Sequence, residues 1–300
     1  MLKNFNDVIE KLRNIGHITI ALAAAEDSES IEAIQKVASL ADVKAILVGN
    51  SDKIIALCGP KSLPENFKII NEPSSPAAAL RAASLVRTGE ADILMKGLVN
   101  TSDFLRAVLN PEQGLRTGHL ISHLAAFEVP GESKLMFHSD GGMVVSPGLE
   151  EKKAIISNAL DSLHCLGIQK PNIAILAANE RVDAKIPATT DAREIVDAWK
   201  RGEFPDCVIE GPIAMDVAAS EEAAKHKGIS SSIVGNVDLF IFPSIESGNI
   251  AGKILVHYAK AKMAGIILGA AKPIVLASRS DNSLTKVDSI ALACLASRKS

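Results

Sequence analysis

Short β-branched apolar runs alternate with longer amphipathic stretches along the whole chain. His17–Ala25 reads as a strand and Ser28–Leu40 as a helix, with Ser28 or Ser30 at its N-cap. Val43–Gly49 and Phe67–Asn71 read as strands, and Pro76–Glu90 as an Ala-rich helix with proline in its first turn. Asp92–Leu98 is a predicted strand, and Thr101–Leu109 a short helix stopped by Pro111. His119–Val129 and Lys134–His138 read as extended, and Leu149–Leu166 as a long helix ended by Gly167. Then come a strand at Asn172–Ala177, a helix at Asp191–Arg201 and strands at Cys207–Glu210 and Val237–Phe242. Asn249–Met263 is expected to be helical, Pro273–Ala277 a strand and Ser283–Ala296 a closing helix.

Strands separated by helices of this length imply βαβ units and a parallel-rich sheet. Runs such as Ile173–Leu176 and Pro273–Leu276 are apolar without alternation, as strands buried on both faces should be. The predicted class is therefore α/β. Pro130-Gly131-Glu132-Ser133 suits a crossing between two domains. The last strand and helix return to the first of these, giving expected domains of 1–132 plus 273–300 and 133–272.

Composition narrows the functions open to this chain. Of its 300 residues 47% are apolar, which is ample for a full core, but only 3% are aromatic. Base stacking on exposed rings is therefore not expected. A net charge of −3 offers nothing to draw in a polynucleotide, so no nucleic-acid partner is expected. Met1–Asp7 lacks the apolar run of a secretory signal, and no apolar stretch reaches the roughly 20 residues of a membrane helix. A cytoplasmic protein without a membrane partner is the expectation. Cys58, Cys165, Cys207 and Cys294 are widely spaced and read as small buried hydrophobes. His119 and His123 lie four apart without a His-Glu-x-x-His pattern, so no metal site is expected.

Open α/β sheets bind ligands beyond the carboxyl ends of their strands, so polar strand-to-helix junctions are the places to search. At the first, Lys96-Gly97 ends a strand, Asn100 or Thr101 caps the next helix, and Arg106 follows one turn later. Helix N–H groups and a planar guanidinium suit a phosphate or carboxylate. An ordinary capped helix with a surface arginine fits the same letters. At the second, Ser278-Arg279-Ser280-Asp281 directly follows a buried strand, where polar groups are costly without a ligand or partner. Ser278 and Arg279 could donate to a developing oxyanion. The third, Glu246-Ser247-Gly248-Asn249, reads equally as a close backbone approach or as a turn and cap. His138-Ser139-Asp140-Gly141-Gly142 either lines a cleft or turns the chain. There is no G-x-G-x-x-G after the first strand, no P-loop and no G-x-S-x-G elbow.

Several ordered blocks together resemble the phosphate acetyl/butyryltransferase family, and its butyryltransferase members most of all. They are Gly211–Asp216 with Glu222–Gly228, Ser247–Ile250 with Lys253, Pro273–Asp281 with Ser289–Ala293, and the block from Lys96 to Arg106. The resemblance implies a two-domain α/β fold like that of the isocitrate and isopropylmalate dehydrogenases, with helices on both faces of parallel-rich sheets and an interdomain active site. It implies the reaction acyl-CoA plus phosphate to acyl phosphate plus CoA, by direct transfer in a ternary complex. Butyryl is the expected acyl group and acetyl the alternative. Coenzyme A enters as substrate or product and no cofactor stays bound. A homodimer or larger homo-oligomer is implied as well.

By position, Ser278, Arg279 and Arg106 match the family's serine-arginine pair and second arginine. The family aspartate falls at Ser289, which leaves Asp288 and Asp281 as candidate bases for the CoA thiol. Lys96, Gly97, Asn100, Thr101, Asp216, Gly248 and Asn249 are the expected phosphate- and CoA-binding residues. Two departures stand out: Val144 and Val217 occupy places where the family carries asparagine. They keep a non-catalytic CoA- or acyl-phosphate-binding module in view. A β-decarboxylating dehydrogenase would share the fold, but its metal-binding aspartates and nicotinamide site are not found.

Overall fold

The computed structural model describes residues 2–58, 63–277 and 283–297. The elements run α1 (Phe5–Leu12), β1 (Ile18–Ala23), α2 (Ser28–Ala38), β2 (Val43–Gly49), α3 (Ser51–Cys58), β3 (Phe67–Asn71), α4 (Ser75–Arg87), β4 (Ile93–Lys96) and α5 (Thr101–Val108). Next come β5 (Ser122–Glu128), β6 (Met136–Ser139), α6 (Leu149–Cys165), β7 (Asn172–Leu176), α7 (Pro187–Lys200), β8 (Val208–Ile213), α8 (Met215–Ala219) and α9 (Glu221–His226). The chain closes with β9 (Leu239–Ile241), α10 (Ile245–His257), β10 (Lys262–Leu268), β11 (Ile274–Val275) and α11 (Ser283–Ala296).

Contacts divide the chain into two compact units: residues 5–119 with the stretch from 263 onward, and residues 1–4 with 120–262. The division expected from the sequence falls at 132/133 and 272/273. Both units are α/β, with mostly parallel strands joined through helices.

In the first unit the strands lie in the order β3-β2-β1-β4-β11-β10, parallel except where β10 meets β11. Strand β1 is central, and Ile20, Ala21, Leu22 and Ala23 are fully buried. The scarcity of aromatics fits helix α4, whose Ala78, Ala79, Ala82 and Ala83 are fully buried. Alanine lets a helix approach a sheet closely at little conformational cost. Helix α11 packs against α1 and α2. Its buried Lys286 donates to Asp27 Oδ2 at 3.3 Å and Glu29 Oε2 at 2.9 Å.

The second unit has the order β5-β6-β9-β7-β8, antiparallel only between β5 and β6. A buried charge network closes the amino ends of β7 and β9. Lys134 Nζ donates to Asp238 Oδ1 at 2.5 Å and to the carbonyl and side-chain oxygens of Asn236 at 2.9 and 2.8 Å. Asp238 Oδ2 accepts the Asn172 N–H at 2.8 Å. Every polar group here is answered, which is the condition for burying an ion pair without heavy loss.

Two expectations differ from the structure. The helix expected to reach Met263 ends at His257, and residues 262–268 form strand β10 instead. Lys260 takes a φ of +59°, which no helix accommodates, and Ile267 then pairs antiparallel with Ile274. Helix α2 has Asp27 at its N-cap in place of Ser28 or Ser30. The Ser30 hydroxyl instead donates to Asp27 Oδ2 at 2.5 Å. Helices α1, α3, α8 and α9 leave little trace in the hydrophobic pattern, because each is short and buries one to three residues. Among the described residues no helix is long and apolar enough to cross a membrane.

Candidate active site

The chain leaves β1 toward β2 and β3 on one side and returns to β4 on the other. The order reverses between β1 and β4, and such a switch point opens a crevice beyond the strands' carboxyl ends. Lys96 ends β4 at this place and is buried, with Nζ donating to the Gly97 carbonyl at 3.2 Å. The N–H groups of Gly97 and Leu98 donate to the carbonyls of Ala23 and Ala24 at 2.9 and 2.7 Å. A Cβ on Gly97 would lie 2.4 Å from the Ala24 oxygen. Glycine is therefore required by the chain leaving β1, whatever else approaches it.

Asn100 is the N-cap residue of α5, in extended backbone, and its side chain does not cap the helix. The first helical hydrogen bond runs from Phe104 N–H to the Asn100 carbonyl at 3.0 Å. The N–H groups of Thr101, Ser102 and Asp103 thus precede the intrahelical ladder, and helix N-termini of this kind favour anions. Arg106 lies on the same helix with its side chain 75% exposed, and Nη1 donates to Asp103 Oδ1 at 2.6 Å. These two line a groove of about 270 Å³ between α4 and α5, with Pro76, Ala77, Leu80 and Ala107 among its walls.

Strand β11 pairs in parallel with β4, Ile274 with Leu94 and Val275 with Met95. The chain therefore leaves β11 through Ala277 at the same end of the sheet as Lys96. Ser278, Arg279 and Asp281 come next and lie outside the described residues. Asp288 is buried in α11. Its neighbour Ser289 accepts the Gly265 N–H at 3.0 Å, which ties α11 to β10.

The second unit has its own polar junction, at the carboxyl ends of β6 and β9. Asp140 is buried, and its carboxylate accepts three backbone N–H groups, those of His123, Gly142 and Met143, each at 2.7 Å. The Ser139 hydroxyl donates to the His123 carbonyl at 2.8 Å. A Cβ on Gly248 would sit 2.6 Å from the Asp140 carbonyl oxygen, and one on Gly141 would sit 3.0 Å from the Gly248 carbonyl carbon. Two glycines thus let the loop after β6 and the start of α10 cross backbone to backbone. Asn249 Nδ2 donates to the Gly141 carbonyl at 3.0 Å, and Ser244 caps the helix. Asp140, which the sequence left between lining a cleft and turning the chain, is the organiser of this loop.

Asp216 stands in the first turn of α8 with its side chain 58% exposed, paired with Lys227 Nζ at 3.0 Å. The Lys227 hydrogen bond holds its carboxyl below the ordinary range. Lys227 also reaches Glu180 Oε1 at 3.3 Å. Val217 is fully buried in a cluster with Ile213, Ile233, Phe240 and Phe242. Its side chain packs a core. Among the described residues no three His, Cys, Asp or Glu side chains gather as a metal site.

The family model described as phosphate acetyl/butaryl transferase matches residues 61–294. This spans both polar junctions and more than half of the chain. The chain belongs to that family. It is 42% identical to the phosphate butyryltransferase of Clostridium acetobutylicum, over 98% of each protein. It is 38% identical to the phosphate acetyltransferase of Thermotoga maritima, over 96% of this chain and 98% of that one. Among solved structures it is similar to a branched-chain phosphotransacylase from Enterococcus faecalis, with a TM-score of 0.84 and 30% identity over 94% of this chain and 100% of the other.

Proposed function

We propose that this protein moves a short acyl group, butyryl foremost and acetyl as the alternative, between coenzyme A and inorganic phosphate. The observation that carries the reading is the 42% identity to a phosphate butyryltransferase over 98% of both chains. The junction at β4, α5 and β11 supports it physically, with helix N–H groups, a buried lysine and an exposed arginine at one end of one sheet.

In this reading Arg106 and Arg279, with Lys96, Gly97, Asn100 and Thr101, hold phosphate beside the thioester. A phosphate oxygen attacks the carbonyl carbon, the tetrahedral intermediate collapses, and CoA leaves as thiolate. Ser278 and Arg279 donate to the oxyanion, a contribution of roughly 3 kcal/mol for a single donor. Holding two reactants together supplies much of the remainder. Asp288 or Asp281 exchanges the thiol proton, and Asp216, Gly248 and Asn249 contact CoA or phosphate. The Asp103–Arg106 pair gives the arginine a carboxylate to release when phosphate arrives. The reading includes the family's two-domain, dehydrogenase-like arrangement with domains of 1–132 plus 273–300 and 133–272 around a cleft. It also includes a cytoplasmic location, no permanent cofactor and a homo-oligomer.

The test follows thiol release from butyryl-CoA and acetyl-CoA, with and without phosphate. Phosphate-dependent release from butyryl-CoA is expected. Release from no short acyl-CoA would overturn the transferase reading in favour of a binding module. Arg106→Ala should raise KM for phosphate at least tenfold, and full retention of activity would remove Arg106 from the site.

A further inference from the structure

The loop from β4 to α5 turns one apolar side chain outward. Leu98 is 51% exposed, while its neighbour Val99 is 3% exposed. The backbone fixes which of the two faces out. The Gly97 and Leu98 N–H groups are held by the carbonyls of Ala23 and Ala24, and the Val99 N–H donates to the Gly97 carbonyl at 3.0 Å. Asn100, Thr101 and Ser102 follow, all exposed and all polar. Leu98 is thus the one exposed apolar side chain between β4 and the first turn of α5.

A second exposed leucine belongs to the same end of the sheet. Leu284, in the first turn of α11, is 54% exposed. Lys286, two residues on, donates to Asp27 and Glu29 at the start of α2. Leu98 is therefore tied to Ala24, and the turn that carries Leu284 is tied to Asp27. Both are held against residues 24–29, the segment that leaves β1, within the first unit. Single exposed leucines scattered over a surface need no explanation. These two share the end of the sheet where Lys96 and the α5 N-terminus gather.

We propose that Leu98, together with Leu284, is the apolar wall that receives the acyl chain and sets the preference for butyryl over acetyl. The inference rests on the reading of acyl transfer to phosphate. A phosphate oxygen poised about 3 Å from the thioester carbonyl keeps the acyl carbons close to the N–H groups of Thr101, Ser102 and Asp103. Leu98 lies at that end of α5. The groove between α4 and α5 has apolar walls too, but Ala107 there lies about 9 Å farther along the helix axis than Thr101, beyond the reach of the short chain. Butyryl carries two methylenes more than acetyl, and one methylene in an apolar pocket is worth about 10- to 200-fold in kcat/KM. Acetyl ends at its methyl and gains least from such a wall.

The test compares kcat/KM for butyryl-CoA and acetyl-CoA at saturating phosphate. Leu98→Ser should lower the butyryl-to-acetyl ratio by about tenfold or more, and Leu284→Ser by about threefold, with most of the loss in KM for butyryl-CoA. Leu98→Met should restore the ratio. Leu109→Ser, at an exposed leucine on the far end of α5, should leave it unmoved. Leu98→Ala shortens the wall and should raise hexanoyl-CoA relative to butyryl-CoA, which decides the matter if the serine variant fails to fold. Ratios that Leu98→Ser and Leu98→Ala both leave unchanged would overturn the inference. So would a larger fall from Leu80→Ser, in the α4–α5 groove. Phosphate-dependent thiol release by the unaltered chain keeps the transferase reading in either case. Without release from any of these thioesters that reading fails, and this inference with it.

Discussion

His138 on β6 should make this protein sensitive to mild acid. The side chain is 2% exposed and sits among the rings of Phe127, Phe240 and Phe242, at centroid distances of 4.6, 5.5 and 5.0 Å. Neither ring nitrogen has a hydrogen-bond partner among the described residues. Desolvation lowers its pKa from 6.5 to about 3. The native state therefore holds this imidazole neutral, while the unfolded chain takes up a proton below pH 6.5. The unfolded state is favoured progressively as pH falls from 6.5 toward 3, by about 1.4 kcal/mol per pH unit. Between pH 7 and pH 5 the loss is about 2 kcal/mol, a sizeable part of a typical folding free energy of roughly 5–15 kcal/mol.

His138→Leu removes the titrating group at similar volume. It also removes two unanswered polar atoms, so a gain of about 1–3 kcal/mol at pH 7 is expected. Urea unfolding at pH 7, 6 and 5, followed by far-ultraviolet circular dichroism, measures both chains. Other titrating groups contribute alike to each, so the difference between them isolates His138. That difference should widen by about 2 kcal/mol from pH 7 to pH 5. A difference that stays flat, or an NMR titration of the His138 ring near 6.5, would refute the reasoning.

Three further outcomes are expected. Asp103→Asn leaves Arg106 without its carboxylate 2.6 Å away and should lower KM for phosphate, as steady-state kinetics would show. Gly97→Ala forces a methyl to within 2.4 Å of the Ala24 oxygen, so urea unfolding should register a loss of about 1–3 kcal/mol. Lys134→Ala strands Asp238 and the Asn236 carbonyl in a buried site, and a loss of about 3–5 kcal/mol is expected by the same measurement.

Much of the fold is legible in the letters because most positions of its parallel strands are apolar and the runs end at recognisable residues. Val43–Gly49, Phe67–Asn71 and Ser283–Ala296 occupy the residues the pattern predicts. The pattern fails where one apolar run suits either structure. The helix expected over Asn249–Met263 stops at His257, and the apolar residues 262–268 that follow form a strand. Helix α3 escaped because it buries a single side chain, Ile54.

The site divides along the same line. That polar groups collect after β4 and β6 is a local property and can be read in sequence. What each group does depends on a partner far along the chain. Gly97 is small because the chain leaving β1 crosses it, and Gly248 because the loop at Asp140 does. Val217 took the place of a family asparagine and so suggested a missing ligand group, but its neighbours Ile233 and Phe240 make it a core side chain. The opposite error was open at Asp140. Its Ser-Asp-Gly-Gly setting reads equally as a cleft wall or a turn, and only three converging N–H groups mark it as the fixed point of the loop. A residue's type thus limits the chemistry available at a junction, while the long-range contact decides whether that chemistry faces a ligand or holds the backbone.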